Sequence, residues 1–280
     1  MKVKSRRGIC LVAVALAVFA APARGRMASG LEGEGRMVEP EEIVGHVRRV
    51  LGQGGPLAGR RVVVTAGPTR EFLDPVRFFS NPSSGRQGFA LAQAALDRGA
   101  DVTLVTGPTH LPTPTGAGRV DVVTAQEMHD AVLPAVRQAD VLLMAAAVAD
   151  YRPQMVAQHK IKKGEGNGGL IPRLARTPDI LSAVAVQWAE TKRPRVVVGF
   201  AAESQNLVEN ARDKLAAKNL DLIVANDVTA SDAGFGAETN RVVLVGRDGS
   251  VEPLPLMSKA AVAEAVLERV VGLLVNAEKK

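Results

Sequence analysis

The chain has 280 residues, 46% of them hydrophobic and 23% charged, which fits one soluble α/β domain, or one such domain with an appended segment, and is enough to bury a full core. Its single cysteine, Cys10, excludes an internal disulfide and a Cys-based zinc site. The formal charge of +6 is uneven: residues 1–60 carry ten Lys/Arg against five Glu, and the rest carry 25 basic and 24 acidic residues, so the main domain gives no electrostatic reason to expect nucleic acid.

At the N-terminus Lys2, Lys4, Arg6 and Arg7 precede an apolar run over 9–21, followed by Ala21-Pro22-Ala23. Basic start, apolar core and small-residue site are the layout of a secretory signal peptide, and the run is short for a membrane span. The other reading is an aliphatic strand or helix from a domain now missing; the pattern alone favours the signal peptide. Residues 24–55 read as a linker with a helix over 40–51, opened by Pro40 with Glu41 and Glu42 in its first turn and broken by Gln53-Gly54-Gly55-Pro56. The compact domain is expected to begin near Gly59, dividing the chain into 1–58 and 59–280.

From there apolar runs alternate with helical patterns. The spacing predicts strands over 61–65, 101–105, 141–144, 195–199 and 220–225, and helices over 84–98, 125–137, 177–188, 206–218 and 258–274. In the helix over 84–98, Ser83 or Ser84 is the expected cap, Phe89, Ala92 and Leu96 share a face, and Gly99 is the stop. Runs over 241–245 and 250–253 form a hairpin around Asp248-Gly249. The alternation implies a mainly parallel sheet with helices on both faces, whose ligands lie beyond the carboxyl ends of its strands.

Those strand ends carry the candidate chemistry. Gly67 follows the first strand and would let backbone approach an anion, though the loop is neither GxGxxG nor a Walker loop. The stretch from Asp74 to Gly85 leads into a helix N-terminus with the hydroxyls of Ser83 and Ser84, an anion site to which Arg77 would add a bidentate clamp; an N-cap with a turn at Asn81-Pro82 explains it equally well. Met144 to Ala149 are small enough after Met144 to admit a flat ligand, and Asp150 would bond ribose hydroxyls or hold Mg²⁺, although on spacing alone a capping role is the commoner one. Lys160, Lys162 and Lys163, followed by glycines, suit a cationic lid over phosphates or, more commonly, a solvated charge run. His159 has no metal-spaced partner and takes no role. Lys214 and Lys218 share one helix face, while Leu207, Ala211 and Leu215 mark the buried one.

The stretches TAGPTREFLDPVRFFSNPSSGRQGFALA, AAAVADYRP, HKIKK, RTPDIL, VVGFAAES and LDLIVANDV, in that order, resemble the ligase domain of the bacterial bifunctional phosphopantothenoylcysteine decarboxylase/phosphopantothenate–cysteine ligase of coenzyme A biosynthesis. The resemblance covers residues 59–274. It implies a Rossmann-like α/β domain, a cytoplasmic homodimer, CTP as substrate and Mg²⁺. It also implies two half-reactions: the 4′-phosphopantothenate carboxylate attacks the α-phosphorus to give an acyl-cytidylate and pyrophosphate, and the amine of cysteine then displaces CMP.

By motif position, Asn81 resembles the residue that orients the acyl-nucleotide, Arg77 accompanies it near the pantothenate, and Lys160 resembles the lysine needed to form the intermediate. Met144, Ala145, Ala146, Asp150, Pro178, Asp179, Ile180, Leu181, Phe200, Lys214 and Lys218 match CTP-binding positions, and Gly67 and Ser83 join them as anion-binding loop positions. No metal ligand is assigned.

The resemblance reaches back over residues 22–40, which look like the end of the flavin-dependent decarboxylase half, with Ser29 where that family usually carries a catalytic Cys. No decarboxylase activity and no FMN are therefore expected, and a separately encoded decarboxylase is a candidate partner. A decarboxylase remnant also weighs against the signal peptide, leaving export as the minority expectation. A short-chain dehydrogenase would need a GxxxGxG loop and a Tyr-x-x-x-Lys pair, but Tyr151 is followed four residues later by Met155. A non-enzymatic, exported ligase relative fits the N-terminus, but Asn81 and Lys160 argue against it.

Overall fold

The computed structural model describes residues 23–26, 32–162, 170–203, 205–227 and 237–278. The signal-like run, Ser29 and residues 163–169 of the expected lid lie outside them. Strands β1 (Ala23–Arg26) and β2 (Glu32–Arg36) pair antiparallel ahead of α1 (Pro40–Gly52). Then follow β3 (Arg61–Ala66), the short pair β4 (Arg70–Phe72) and β5 (Phe78–Ser80), α2 (Arg86–Leu96), β6 (Asp101–Thr106), β7 (Gly118–Asp121) and α3 (Ala125–Val136). The second half comprises β8 (Val141–Met144), the short pair β9 (Tyr151–Pro153) and β10 (Leu174–Arg176), α4 (Ile180–Thr191), β11 (Val196–Glu203), α5 (Leu207–Ala217) and β12 (Leu222–Asp227). It closes with β13 (Thr239–Asn240), β14 (Val242–Gly246), β15 (Val251–Pro253), β16 (Met257–Ser258) and α6 (Lys259–Glu278).

The main sheet runs β15-β14-β12-β11-β8-β3-β6-β7. The strands from β7 to β12 are parallel, and β14 and β15 add an antiparallel edge. Strand β3 is aliphatic on both faces because both are covered: Val62 and Val64 pack under α2 and α6, while Val63 faces Met128 and Val132 of α3 and Val184 of α4. This is the Rossmann-like α/β arrangement expected from the alternation of strands and helices.

Several boundaries move for physical reasons. Helix α2 begins at Arg86, with Gly85 at φ +79° as its N-cap and no side-chain cap; the expected serine caps give way to a turn in which Ser83 Oγ accepts from the Gly85 amide at 3.3 Å. Helix α4 begins three residues later than its spacing predicts. The Thr177 hydroxyl is committed to the Ala149 carbonyl at 2.6 Å, and Asp179 caps the helix instead by accepting from Ser182 N at 3.0 Å. Strand β11 continues past Gly199 because Phe200–Glu203 pairs in register with Val224–Asp227 of β12. The pairs β4–β5 and β9–β10 lie outside the strands that the spacing predicts; each strand is three residues long and much of their surface is exposed, so no periodicity marks them.

Candidate active site

The backbone after β8 is held open by groups from neighbouring strand ends. The fully buried Thr65 hydroxyl accepts from Ala146 N at 3.1 Å, and that of Thr69 accepts from Ala149 N at 2.9 Å. Ala147 N donates to Gly67 O at 2.9 Å, and Thr69 N donates back to Ala147 O at 3.2 Å. Asn81 Nδ2 donates to Ala147 O and Val148 O at 3.1 and 3.3 Å, leaving Oδ1 without a protein partner among the described residues. The run 145–150 is thus fixed by backbone and hydroxyl bonds, and its small side chains leave space in front of it.

Two adjoining cavities fill that space. The first, about 460 Å³, is lined by Met144, Ala146, Asp150, Pro178, Asp179, Ile180, Leu181, Phe200, Lys214 and Lys218, all positions picked out by the sequence. The second, about 370 Å³, takes in Asn81, Ser83 and Ala145. Ala146, Val148, Asp150, Phe200 and Lys214 line both, so the cavities are two lobes of one cleft beyond the carboxyl ends of β8 and β11. Each has the size of an ordinary small-molecule site.

Sequence reasoning missed Tyr151, Arg176 and Thr177 in the first lobe, and Arg86, Gln87, Asn226, Asn240 and Lys259 in the second. Asn226 sits near the carboxyl end of β12, a position the strand-end rule could have flagged; nothing in the sequence around Lys259 marks it. Gln87 Oε1 and Asn226 Oδ1 are buried in the wall of the second lobe without a hydrogen-bond partner among the described residues. Burial, and then the nearby Arg86 charge, push the Lys259 ammonium below its ordinary value.

In the first lobe Lys218 pairs with the Asp179 carboxylate and lies 3.0 Å from Ser182 Oγ. Burial acts to raise the Asp179 carboxyl, but Lys218 and the Ser182 amide outweigh it and hold the group below its ordinary value. Gly67, Arg77 and Lys160 line neither lobe. Gly67, at φ +72°, packs beneath the Gly107 carbonyl and against Gly85, which closes the loop stack under the cleft. Arg77 is bonded to the carboxylate of Asp74 and to the Ile161 carbonyl at 2.8 Å, so the clamp expected to be open to an anion already has protein partners. Lys160 is exposed and makes no hydrogen bond or ion pair among the described residues. Those residues contain no group of three or more His, Cys, Asp or Glu able to hold a metal. Asp150 is the carboxylate that lines both lobes, and a cation in the cleft would draw on it.

A mainly parallel sheet covered on both faces, with a two-lobed cationic cleft beyond its carboxyl edge, defines a Rossmann-like domain. The chain belongs to the family described as the DNA/pantothenate metabolism flavoprotein C-terminal domain, whose model matches residues 57–274. It is 50% identical over 246 residues to the coenzyme A biosynthesis bifunctional protein CoaBC of Vibrio cholerae, covering 88% of this chain and 60% of that protein. A protein of an unknown prokaryotic organism, named a cysteine/cysteine sulfinic acid decarboxylase, is 43% identical over 257 residues, covering 90% of this chain and 70% of its own. The crystal structure of the C-terminal domain of a CoaBC protein superposes with TM-score 0.66 at 40% identity, covering 79% of this chain and 99% of that one. The chain thus spans about three fifths of the length of the bifunctional relative it matches.

Proposed function

We propose that this chain is a phosphopantothenate–cysteine ligase that uses CTP and works in the cytoplasm. The observation that carries this reading is the two-lobed cleft sharing Asp150, Phe200 and Lys214, which offers a nucleotide and a phosphorylated acid adjacent seats. The nucleotide takes the lobe of Met144, Phe200, Lys214 and Lys218, and the acid takes the lobe of Asn81 and Ser83. A carboxylate oxygen of the acid attacks the α-phosphorus, the bond from that phosphorus to the β-phosphate bridging oxygen breaks, and pyrophosphate leaves. The amine of cysteine then attacks the acyl carbon and loses a proton, and the acyl–oxygen bond breaks to release CMP. Asn81, tied through its amide to the 147–148 backbone, presents Oδ1 to orient the intermediate. Lys160 supplies positive charge as negative charge gathers on the departing pyrophosphate. Magnesium bound to the phosphates would lower their charge further.

The reading includes a homodimer. Val76, Phe78 and Phe79 on the β4–β5 arm and Tyr151, Met155 and Val156 on and after β9 are all exposed, from 40% for Phe79 to 83% for Met155. Ala157 N donates to Leu73 O at 3.0 Å, which joins these two arms. An apolar surface of this kind supports burial against a second copy.

The test is to incubate the purified chain with 4′-phosphopantothenate, cysteine, Mg²⁺ and CTP or ATP and follow pyrophosphate. Release with CTP that depends on phosphopantothenate is expected, without carbon dioxide evolution from cysteine. No pyrophosphate with either nucleotide would overturn the assignment.

A further inference from the structure

Lys160 lies outside both lobes, and its segment is fixed by a group that the reaction as derived above does not use. Asp74 stands in the loop between β4 and β5, and its carboxylate is fully buried. Most of its bonds are local: Oδ1 accepts from Val76 N and Arg77 N, each at 2.9 Å, and Oδ2 accepts from the Arg77 guanidinium, with Nε at 3.0 Å. These close the turn. One further bond is not local: Oδ2 also accepts from Ile161 N at 3.1 Å, 87 residues along the chain. Arg77 Nη2 in turn donates to Ile161 O at 2.8 Å. The Asp74–Arg77 pair therefore grips both backbone groups of the residue next to Lys160. A second tie, Ala157 N to Leu73 O, pins the same segment four residues earlier.

A turn needs none of this reach. The local donors alone close the β4–β5 turn, so the bond from Ile161 adds a tie to a segment 87 residues away. What the contact does is fix the backbone from which the exposed Lys160 side chain departs, on the arm that carries Arg77. We propose that Asp74 is a positioning residue: with Arg77 as its counter-ion, it latches the 157–161 segment so that Lys160 is presented at a fixed place for acyl-nucleotide formation. The proposal rests on the ligase reading for the role of Lys160, but the latch itself does not.

Asp74→Asn separates the two. The amide can keep Oδ1 accepting from the turn, but in place of Oδ2 it sets an NH₂ against the donors of Arg77 and Ile161. Hydrogen exchange at the Ile161 amide, measured in the full chain, is expected to be slow in the wild type and to lose its protection in Asp74→Asn. The kcat for pyrophosphate release is expected to fall about a hundredfold, as for a misplaced catalytic group, while KM for CTP changes by less than about threefold. In a Lys160→Gln background, Asp74→Asn is expected to cost nothing further, because a positioning residue has no effect once the group it positions is gone. Unchanged Ile161 exchange would overturn the latch. Lost protection with unchanged kcat, or full additivity with Lys160→Gln, would overturn the link to Lys160. A wild type that releases no pyrophosphate defeats the ligase reading and with it the role for Lys160, while Ile161 exchange still decides the latch. Should Asp74→Asn not fold, Asp74→Glu, which keeps the charge but shifts it by a methylene, is read in the same two ways, with partial losses expected.

Discussion

Lys160 is the residue on which the proposed chemistry turns most sharply. It is exposed, outside both lobes and without a protein partner among the described residues, so its charge is available to a ligand. Lys160→Gln keeps a polar, slightly shorter side chain but removes the charge. Pyrophosphate release is expected to fall by roughly 10²–10³-fold, as for loss of one preorganised charge-stabilising group, while thermal unfolding stays within about 1 °C, as for an exposed substitution. A retained wild-type rate would remove Lys160 from the mechanism. The sequence shows this lysine because it sits in a short local motif, and the same holds for Asn81, Asp150 and the Lys214–Lys218 pair. It does not show what Arg77 does in the folded chain. Asp74 is only three residues away, yet the bonds to Ile161 span 84 and 87 residues and exist only once β4 and the 157–161 segment meet. Lys259 escapes notice for the same reason: its place in the cleft comes from the packing of α6, not from local spacing, whereas Asn226 sits at a strand end that the alternation does mark.

At the scale of elements, local signals succeed where a segment makes one choice and fail where it has two. Thr177-Pro178-Asp179 offers two caps for α4, Thr177 ahead of a proline at the first helical position or Asp179 after it. The choice is made by tertiary bonds, since Thr177 is taken by the 149–150 backbone through its hydroxyl and through its amide, 3.0 Å from Asp150 O. That leaves Pro178 and Asp179 at the cleft wall instead of inside a helix. Helix α2 shows the opposite case, an element whose position depends on one missing side chain. A Cβ at Gly88 would lie 2.5 Å from Ala66 Cβ and 2.8 Å from Thr65 O, so α2 can approach β3 this closely only with glycine there. Gly88→Ala is expected to destabilise the chain by about 1–3 kcal/mol, the usual cost of overpacking, seen as a lower urea midpoint at unchanged m-value. Because Gln87 and Gly88 line the second lobe, the same change is expected to raise KM for phosphopantothenate more than KM for CTP. A midpoint equal to wild type would mean that α2 shifts without cost.

The molecule as a whole is polarised, with the cleft beyond the carboxyl end of the sheet and an ionic cluster at the other end. There Asp140, 6% exposed, accepts from Arg61 N at 3.0 Å and pairs with Arg193, with Arg60 and Arg195 each at 3.7 Å; Glu278 of α6 pairs with Arg60 and Arg195. Burial acts to raise the Asp140 carboxyl, but the Arg61 amide and the arginines outweigh it and hold the group below its ordinary value. A depressed carboxylate contributes stability above its unfolded pKa of about 3.9 and loses it as pH falls through the lower folded value. Asp140→Asn is therefore expected to cost about 1–2 kcal/mol at pH 7, the order for losing a charge-assisted hydrogen bond to partners that stay partly exposed. The gap from wild type should narrow below about pH 4 as wild type protonates; a gap independent of pH would show that shape, not charge, is what Asp140 supplies. The arms are the remaining large-scale feature. They form two-stranded sheets separate from the main one, leave Met155 83% and Val156 57% exposed, and carry the latch that holds Lys160. Solvent on such a surface is costly, and a second copy offers the same patch to it about a twofold axis. Replacing both Met155 and Val156 by Asp places like charges opposite one another across that axis without touching either lobe. The wild type is expected to sediment at about twice the 29.4 kDa chain mass and the double variant at the single mass. If the double variant keeps the larger mass, the arms are not the interface; if the wild type is already at the single mass, the homodimer is wrong.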